Sequence, residues 1–167
     1  MDISSLKKSA LNRRDFMKVA TMTAAYFGLS QALSPQIVKA LETTSGKPAV
    51  IWLEGQSCTG CTESFLNNLE PSATSILLDT ISLRYHETAM VGSGHQAEAA
   101  LADTIAEGGY VLVIEGSIPL AENGAFCTVG GRPFTEIVRE TAKNAAAIIC
   151  VGSCATFGGI PRSGPTD

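Results

Sequence analysis

Residues 49–61 read Ala49-Val50-Ile51-Trp52-Leu53-Glu54-Gly55-Gln56-Ser57-Cys58-Thr59-Gly60-Cys61, an unbroken apolar run leading into two cysteines three positions apart. Five apolar residues in a row, with no polar alternation, describe a strand covered on both faces, as in a parallel sheet. Glu54-Gly55 ends it. Beyond the cysteines, Thr62, Phe65, Leu66 and Leu69 predict a short helix begun or capped near Thr62 and broken by Glu70-Pro71-Ser72, and the apolar group Ile76-Leu77-Leu78 follows.

The same alternation continues along the chain. Ile81 to His86 predicts a second strand, and Gln96 to Ala106 a helix with Ala97, Leu101 and Ile105 on one face. Tyr110 to Ile114 is a third apolar strand, Phe134 to Ala145 a helix started by Arg132-Pro133, and Ala147 to Val151 a fourth strand. Strands alternating with helices imply an α/β fold with a doubly wound parallel sheet. Ligands of such sheets gather beyond the carboxyl ends of the strands, where the strand order reverses. Cys58 and Cys154 follow the first and fourth strands there, and a flavodoxin-like order brings those ends close.

With 167 residues, 45% apolar and 17% charged, the chain has enough material for one domain with a core. A net charge of −4 and the lack of a Lys/Arg cluster beyond the N-terminal segment exclude a nucleic-acid partner. Residues 1–40 differ from the rest: Lys7, Lys8, Arg13, Arg14, Lys18 and Lys39 face only Asp2 and Asp15. A modestly apolar stretch from Val19 to Leu33 and the small Ala40 complete the layout of an export signal. Asn12-Arg13-Arg14-Asp15-Phe16-Met17-Lys18 resembles the twin-arginine motif. That route carries folded proteins, which is needed when a cofactor is inserted before export. The apolar stretch is too short and too broken by Thr21, Thr23, Gly28 and Ser30 for a spanning helix.

All five cysteines, Cys58, Cys61, Cys127, Cys150 and Cys154, lie after the signal. A disulfide framework braces small domains with poor cores, which four apolar strands make unnecessary. A thioredoxin-type pair would also follow a strand and open a helix, but it leaves Cys154 without a task. Zinc wants a second close pair of Cys or His; His86 and His95 each stand alone and read as surface or capping residues. Cys150 falls inside a strand and reads as a small core residue, while Cys127 lies in a loop with no assigned role. Cys58, Cys61 and Cys154 remain, converging on one switch point as three thiolates suited to an iron-sulfur cubane that needs a fourth.

Three motifs then stand in order: Trp52 to Cys61, Glu115-Gly116-Ser117-Ile118-Pro119, and Val151-Gly152-Ser153-Cys154-Ala155-Thr156-Phe157-Gly158-Gly159-Ile160-Pro161. Together they resemble the small subunit of nickel-iron (uptake) hydrogenases. The resemblance implies a periplasmic electron-transfer subunit whose flavodoxin-like domain holds the proximal 4Fe-4S cluster, with Cys58, Cys61 and Cys154 as iron ligands. It divides the chain into a twin-arginine signal peptide, 1–40, and the N-terminal part of the cluster domain, 41–167. The fourth ligand, a 3Fe-4S and a second 4Fe-4S cluster are expected only in a C-terminal part beyond Asp167. Partners implied are a large subunit carrying the nickel-iron centre, where hydrogen is oxidised, and a redox partner such as a cytochrome, with or without membrane association. No catalytic residue or nickel ligand is assigned to this chain.

The resemblance also implies that Gly55, Gly60 and Gly152 let backbone amides approach the cluster. Glu54 and Thr59 are expected either in a polar or proton route at the subunit interface or simply as a strand-end carboxylate and a loop cap. Gly60 and Gly159 occupy positions where oxygen-tolerant members carry extra cysteines, so the standard, oxygen-sensitive type is expected. Two rival readings are the related quinone-side iron-sulfur subunit of a respiratory complex and a non-redox binding module with structural thiols. The first would show adjacent cysteines and no export signal.

Overall fold

The computed structural model describes residues 46–163. The predicted signal peptide, its Ala40 cleavage point and the residues from 164 onward lie outside them. Four parallel strands form one sheet: β1 (Ala49–Glu54), β2 (Ser82–His86), β3 (Val111–Glu115) and β6 (Ala147–Val151). Their order is β2-β1-β3-β6, the doubly wound arrangement expected. Between β3 and β6 a two-residue hairpin, β4 (Thr128–Val129) and β5 (Arg132–Pro133), turns through Gly130-Gly131.

The helices are α1 (Gly60–Leu66), α2 (Ala73–Ser75), α3 (His95–Glu107), α4 (Phe134–Asn144), α5 (Gly152–Phe157) and α6 (Gly159–Arg162). Pro133 stands at the N-cap of α4, where its fixed φ suits helix entry. Ile76-Leu77-Leu78, unassigned from sequence, lies in a π-helical turn over Ile76–Thr80 that leads into β2. Among the described residues no helix is long and apolar enough to cross a membrane.

Strand residues alternate between two faces, so each face has its own core. Ile51, Leu53, Tyr85, Leu112 and Ile114 face Leu101 of α3 and Phe134 and Ile137 of α4. Each such buried side chain contributes roughly 1.5–3 kcal/mol. On the other face Val50, Trp52, Val111 and Val113 form a smaller cluster with Phe65 of α1 beside it. Trp52 packs against Phe65 with ring centroids 5.6 Å apart. That contact seats α1, and with it the two cysteines, over the carboxyl ends of β1 and β3.

Candidate metal centre

The loop after β1 is joined to the loop after β3. Gln56 N–H donates to Ser117 O at 3.0 Å and Ser117 N–H to Gln56 O at 3.1 Å. Gly116, at φ 83°, makes this approach possible, since a Cβ there would stand 2.8 Å from the backbone of Gln56 and Ser57. Thr59 then takes a left-handed conformation, φ 62°, unusual for a β-branched residue. Its N–H donates to Ser57 Oγ at 2.9 Å and its C=O accepts from Glu63 N–H, so the chain is held on both sides of the strained residue. Helix α1 thus starts at Gly60 behind Thr59, not at Thr62.

The organising group is Glu115, the last residue of β3 and 1% exposed. Its Oε1 accepts from Ser57 Oγ at 2.9 Å and from Cys61 N–H at 3.1 Å. Its Oε2 accepts from Thr62 Oγ1 at 2.6 Å, Thr62 N–H at 3.1 Å and Trp52 Nε1 at 3.1 Å. Burial by itself would push this carboxyl up, but the bonds from Thr62, Ser57, Trp52 and the Cys61 N–H outweigh it and hold it below the usual range. The carboxylate is therefore charged, and it satisfies two N–H groups at the open start of α1. Along the sequence Glu115 stands only as the first residue of the motif Glu115-Gly116-Ser117-Ile118-Pro119. The available signal was an acid closing the wholly apolar run Tyr110–Ile114, which a covered sheet tolerates only where donors meet it.

The three predicted ligands come together here. Cys58 is exposed, while Cys61 and Cys154 are half-buried, and all are free thiols. Burial, followed by the charges of Glu115, Cys58 and Cys154, pushes the Cys61 thiol up. Each sulfur has a glycine beside it. A Cβ at Gly152 would stand 2.5 Å from Cys61 Sγ, one at Gly159 2.5 Å from Cys154 Sγ, and one at Gly60 3.1 Å from Cys58 Sγ. Gly55 differs from its expected role, because its Cβ would strike Ser117 O and the Phe134 ring, so it serves packing between β1 and α4. Among the described residues no three His, Cys, Asp or Glu stand close enough to hold a single metal ion. A cubane places each thiolate on a separate iron, so its ligands stand farther apart than those of one ion, and the donor set fits that group.

The remaining candidates lie off this cluster. Cys127 packs at the edge of the apolar core and Cys150 sits within β6; burial pushes both thiols up. His95 is exposed at the first turn of α3. His86 caps a turn as expected but is no surface residue, being 2% exposed and stacked on Trp52 with centroids 5.1 Å apart. Its Nδ1 accepts the N–H groups of Thr88 and Ala89, both at 3.1 Å. Glu54 accepts from Thr88 Oγ1 at 2.7 Å through Oε2 and lies 3.1 Å from Thr62 Oγ1 through Oε1.

A family model described as "NADH ubiquinone oxidoreductase, 20 Kd subunit" matches residues 58–167, well over half the chain. The chain belongs to that family. Its curated relatives include the uptake hydrogenase small subunit of Azotobacter vinelandii, 44% identical over 96% of this chain and 45% of the relative. Another is the periplasmic [NiFe] hydrogenase small subunit of Solidesulfovibrio fructosivorans, 40% identical over 96% of this chain and 51% of the relative. Among solved structures, the [NiFeSe] hydrogenase of Desulfovibrio vulgaris Hildenborough superposes with a TM-score of 0.70 at 37% identity, covering 74% of this chain and 46% of that one. The resemblance to hydrogenase small subunits drawn from the three motifs is borne out, and the chain spans about half the length of the curated relatives it matches. The family description is that of the rival respiratory subunit, yet the relatives matched along nearly the whole chain are hydrogenase subunits.

Proposed function

We propose that this chain forms part of the electron-transfer small subunit of a periplasmic nickel-iron hydrogenase, with Cys58, Cys61 and Cys154 holding three irons of a proximal 4Fe-4S cluster. The observation that carries the reading is the meeting of three free cysteines from the loop after β1, from α1 and from α5, each with a glycine where a side chain would crowd its sulfur. Such a cluster supplies one-electron redox chemistry when bound. The chain's own residues bind it through thiolates, fix the loop through Glu115 and leave Cys58 on the exposed side, toward a partner. The fourth ligand is assigned to a residue outside the described ones, since Cys127 and Cys150 lie elsewhere.

The subunit carries electrons between a large subunit, where hydrogen is oxidised to protons, and an outside redox partner such as a cytochrome. Residues 1–40 act as its twin-arginine signal, and glycine at 60 and 159 makes it the oxygen-sensitive type. The test is serine replacement of Cys58, Cys61 and Cys154, one at a time, in the full-length subunit produced with its large subunit. Loss of iron and of iron-sulfur absorption is expected with the subunit still folded. Unchanged iron content and hydrogen-dependent dye reduction would instead leave the thiols as structural groups in a non-redox module.

A further inference from the structure

Thr62 is fully buried one residue after Cys61, yet its hydroxyl turns away from its own helix into the sheet. Three groups meet it: Glu115 Oε2 at 2.6 Å, Glu54 Oε1 at 3.1 Å and His86 Nε2 at 3.4 Å. A hydroxyl has one proton, so it can serve one carboxylate at a time, while its lone pairs accept from a donor. The shorter contact, 2.6 Å against 3.1 Å, gives that proton to Glu115, and the third neighbour holds the oxygen. Nδ1 of His86 already accepts two backbone N–H groups, which leaves the ring proton on Nε2, facing Thr62. The 3.5 Å approach of Glu54 Oε1 to Nδ1 is therefore no ion pair. Stacking on Trp52 holds the ring against rotation, and Trp52 Nε1 donates to the same Glu115 Oε2.

We propose that His86 and Thr62 are positioning residues for the cluster site: His86 Nε2–H holds the Thr62 oxygen in place, the Thr62 proton serves Glu115, and Glu115 in turn holds the Cys61 N–H and sets the charge beside the cluster. The link runs from β2 through α1 to the end of β3, with no ligand in it. Partners one step beyond the ligands orient them and tune the metal. Removing the hydroxyl leaves the Glu115 charge less neutralised, which favours the oxidised cluster and lowers its potential.

This inference rests on the cluster reading above, and the test separates the two. In the complete heterodimer, with iron content verified, the cluster's midpoint potential is followed by EPR-monitored titration for Thr62→Val, Thr62→Ser, His86→Asn and the Thr62→Val/His86→Asn pair. Asparagine keeps an acceptor for the turn at Thr88 and Ala89 but offers no Nε2–H. Expected are a more negative potential for Thr62→Val, a wild-type value for Thr62→Ser, and a smaller negative shift for His86→Asn. The pair should move no further than Thr62→Val alone, because His86 acts through the hydroxyl. Loss of iron from Thr62→Val with full iron in Thr62→Ser supports the same role. A wild-type potential in Thr62→Val, iron lost from both Thr62 variants, or additive shifts in the pair would overturn it. If the wild-type heterodimer shows no cluster signal, the cluster reading itself fails.

Discussion

Leu112 and Glu115 lie three residues apart on β3, and both are sealed from solvent at 0% and 1% exposure. Leu112 belongs to the dry layer between the sheet and helices α3 and α4, where neighbours touch it without direction. Glu115 ends the same strand in a polar pocket under the cysteine loop, where four residues each donate to it. In the dry layer, volume decides what fits. In the pocket each donor needs an acceptor at one place, so shape alone is not enough.

The largest effect should come from carrying the rule of the dry layer into the pocket. Glu115→Leu strands the donors of Trp52, Ser57, Cys61 and Thr62, each at roughly 1–3 kcal/mol when left unpaired and buried. A loss above about 4 kcal/mol in denaturant unfolding is expected, together with loss of iron. Leu112→Ala tests the dry layer by its own rule and should cost about 2–5 kcal/mol, with iron content unchanged. If Glu115→Leu cost less than Leu112→Ala, the contrast between the two regions would collapse.

Gly152→Ala places a methyl 2.5 Å from Cys61 Sγ at a position with φ 76°. The left-handed backbone alone costs about 1–2 kcal/mol, which lowers the melting temperature by several degrees, but the sharper readout is iron, which should fall further than that loss of stability explains. At the small end, Leu112→Met keeps volume and should cost under about 1.5 kcal/mol.

Glu87 refines the comparison, because it is a carboxyl with few donors. Its Oε2 accepts only the Glu54 N–H at 3.1 Å, and its buried Oε1 has no partner among the described residues. Burial pushes it up to about 8, partly offset by the Glu54 N–H and added to by the charges of Glu54 and Glu98. Between its ordinary value of 4.5 and about 8 the folded protein keeps a proton that the unfolded chain has released. Stability from that proton is full below the lower value and is lost as pH rises through the upper one. Wild-type melting temperature minus that of Glu87→Gln should therefore fall across this window. A flat difference would show that Glu87 is as well supplied with donors as Glu115.

Much of this fold is legible along the chain. The apolar runs at Ala49, Tyr110 and Ala147 gave three strands to within a residue or two, and the helical spacing of Ala97, Leu101 and Ile105 gave α3. These patterns are local, since a strand covered on both faces must be apolar throughout and a covered helix apolar on one side. The three thiols were legible for a related reason: parallel topology carries residues that follow strands to one edge. His86 misled because a lone histidine carries no sign of burial, and Thr62 because a threonine near a helix start looks like its cap.

Sequence by itself determined where the strands and helices lie and which three cysteines follow them. Tertiary structure alone decided the strand order, that Glu115 is the hub of the pocket under the cysteine loop, that Thr62 turns toward it and that His86 is buried facing Thr62. Those partners lie 24 to 63 residues apart along the chain. A hydrogen bond depends on where two atoms end up in space, and no local pattern records the approach of strands that meet only when the sheet closes.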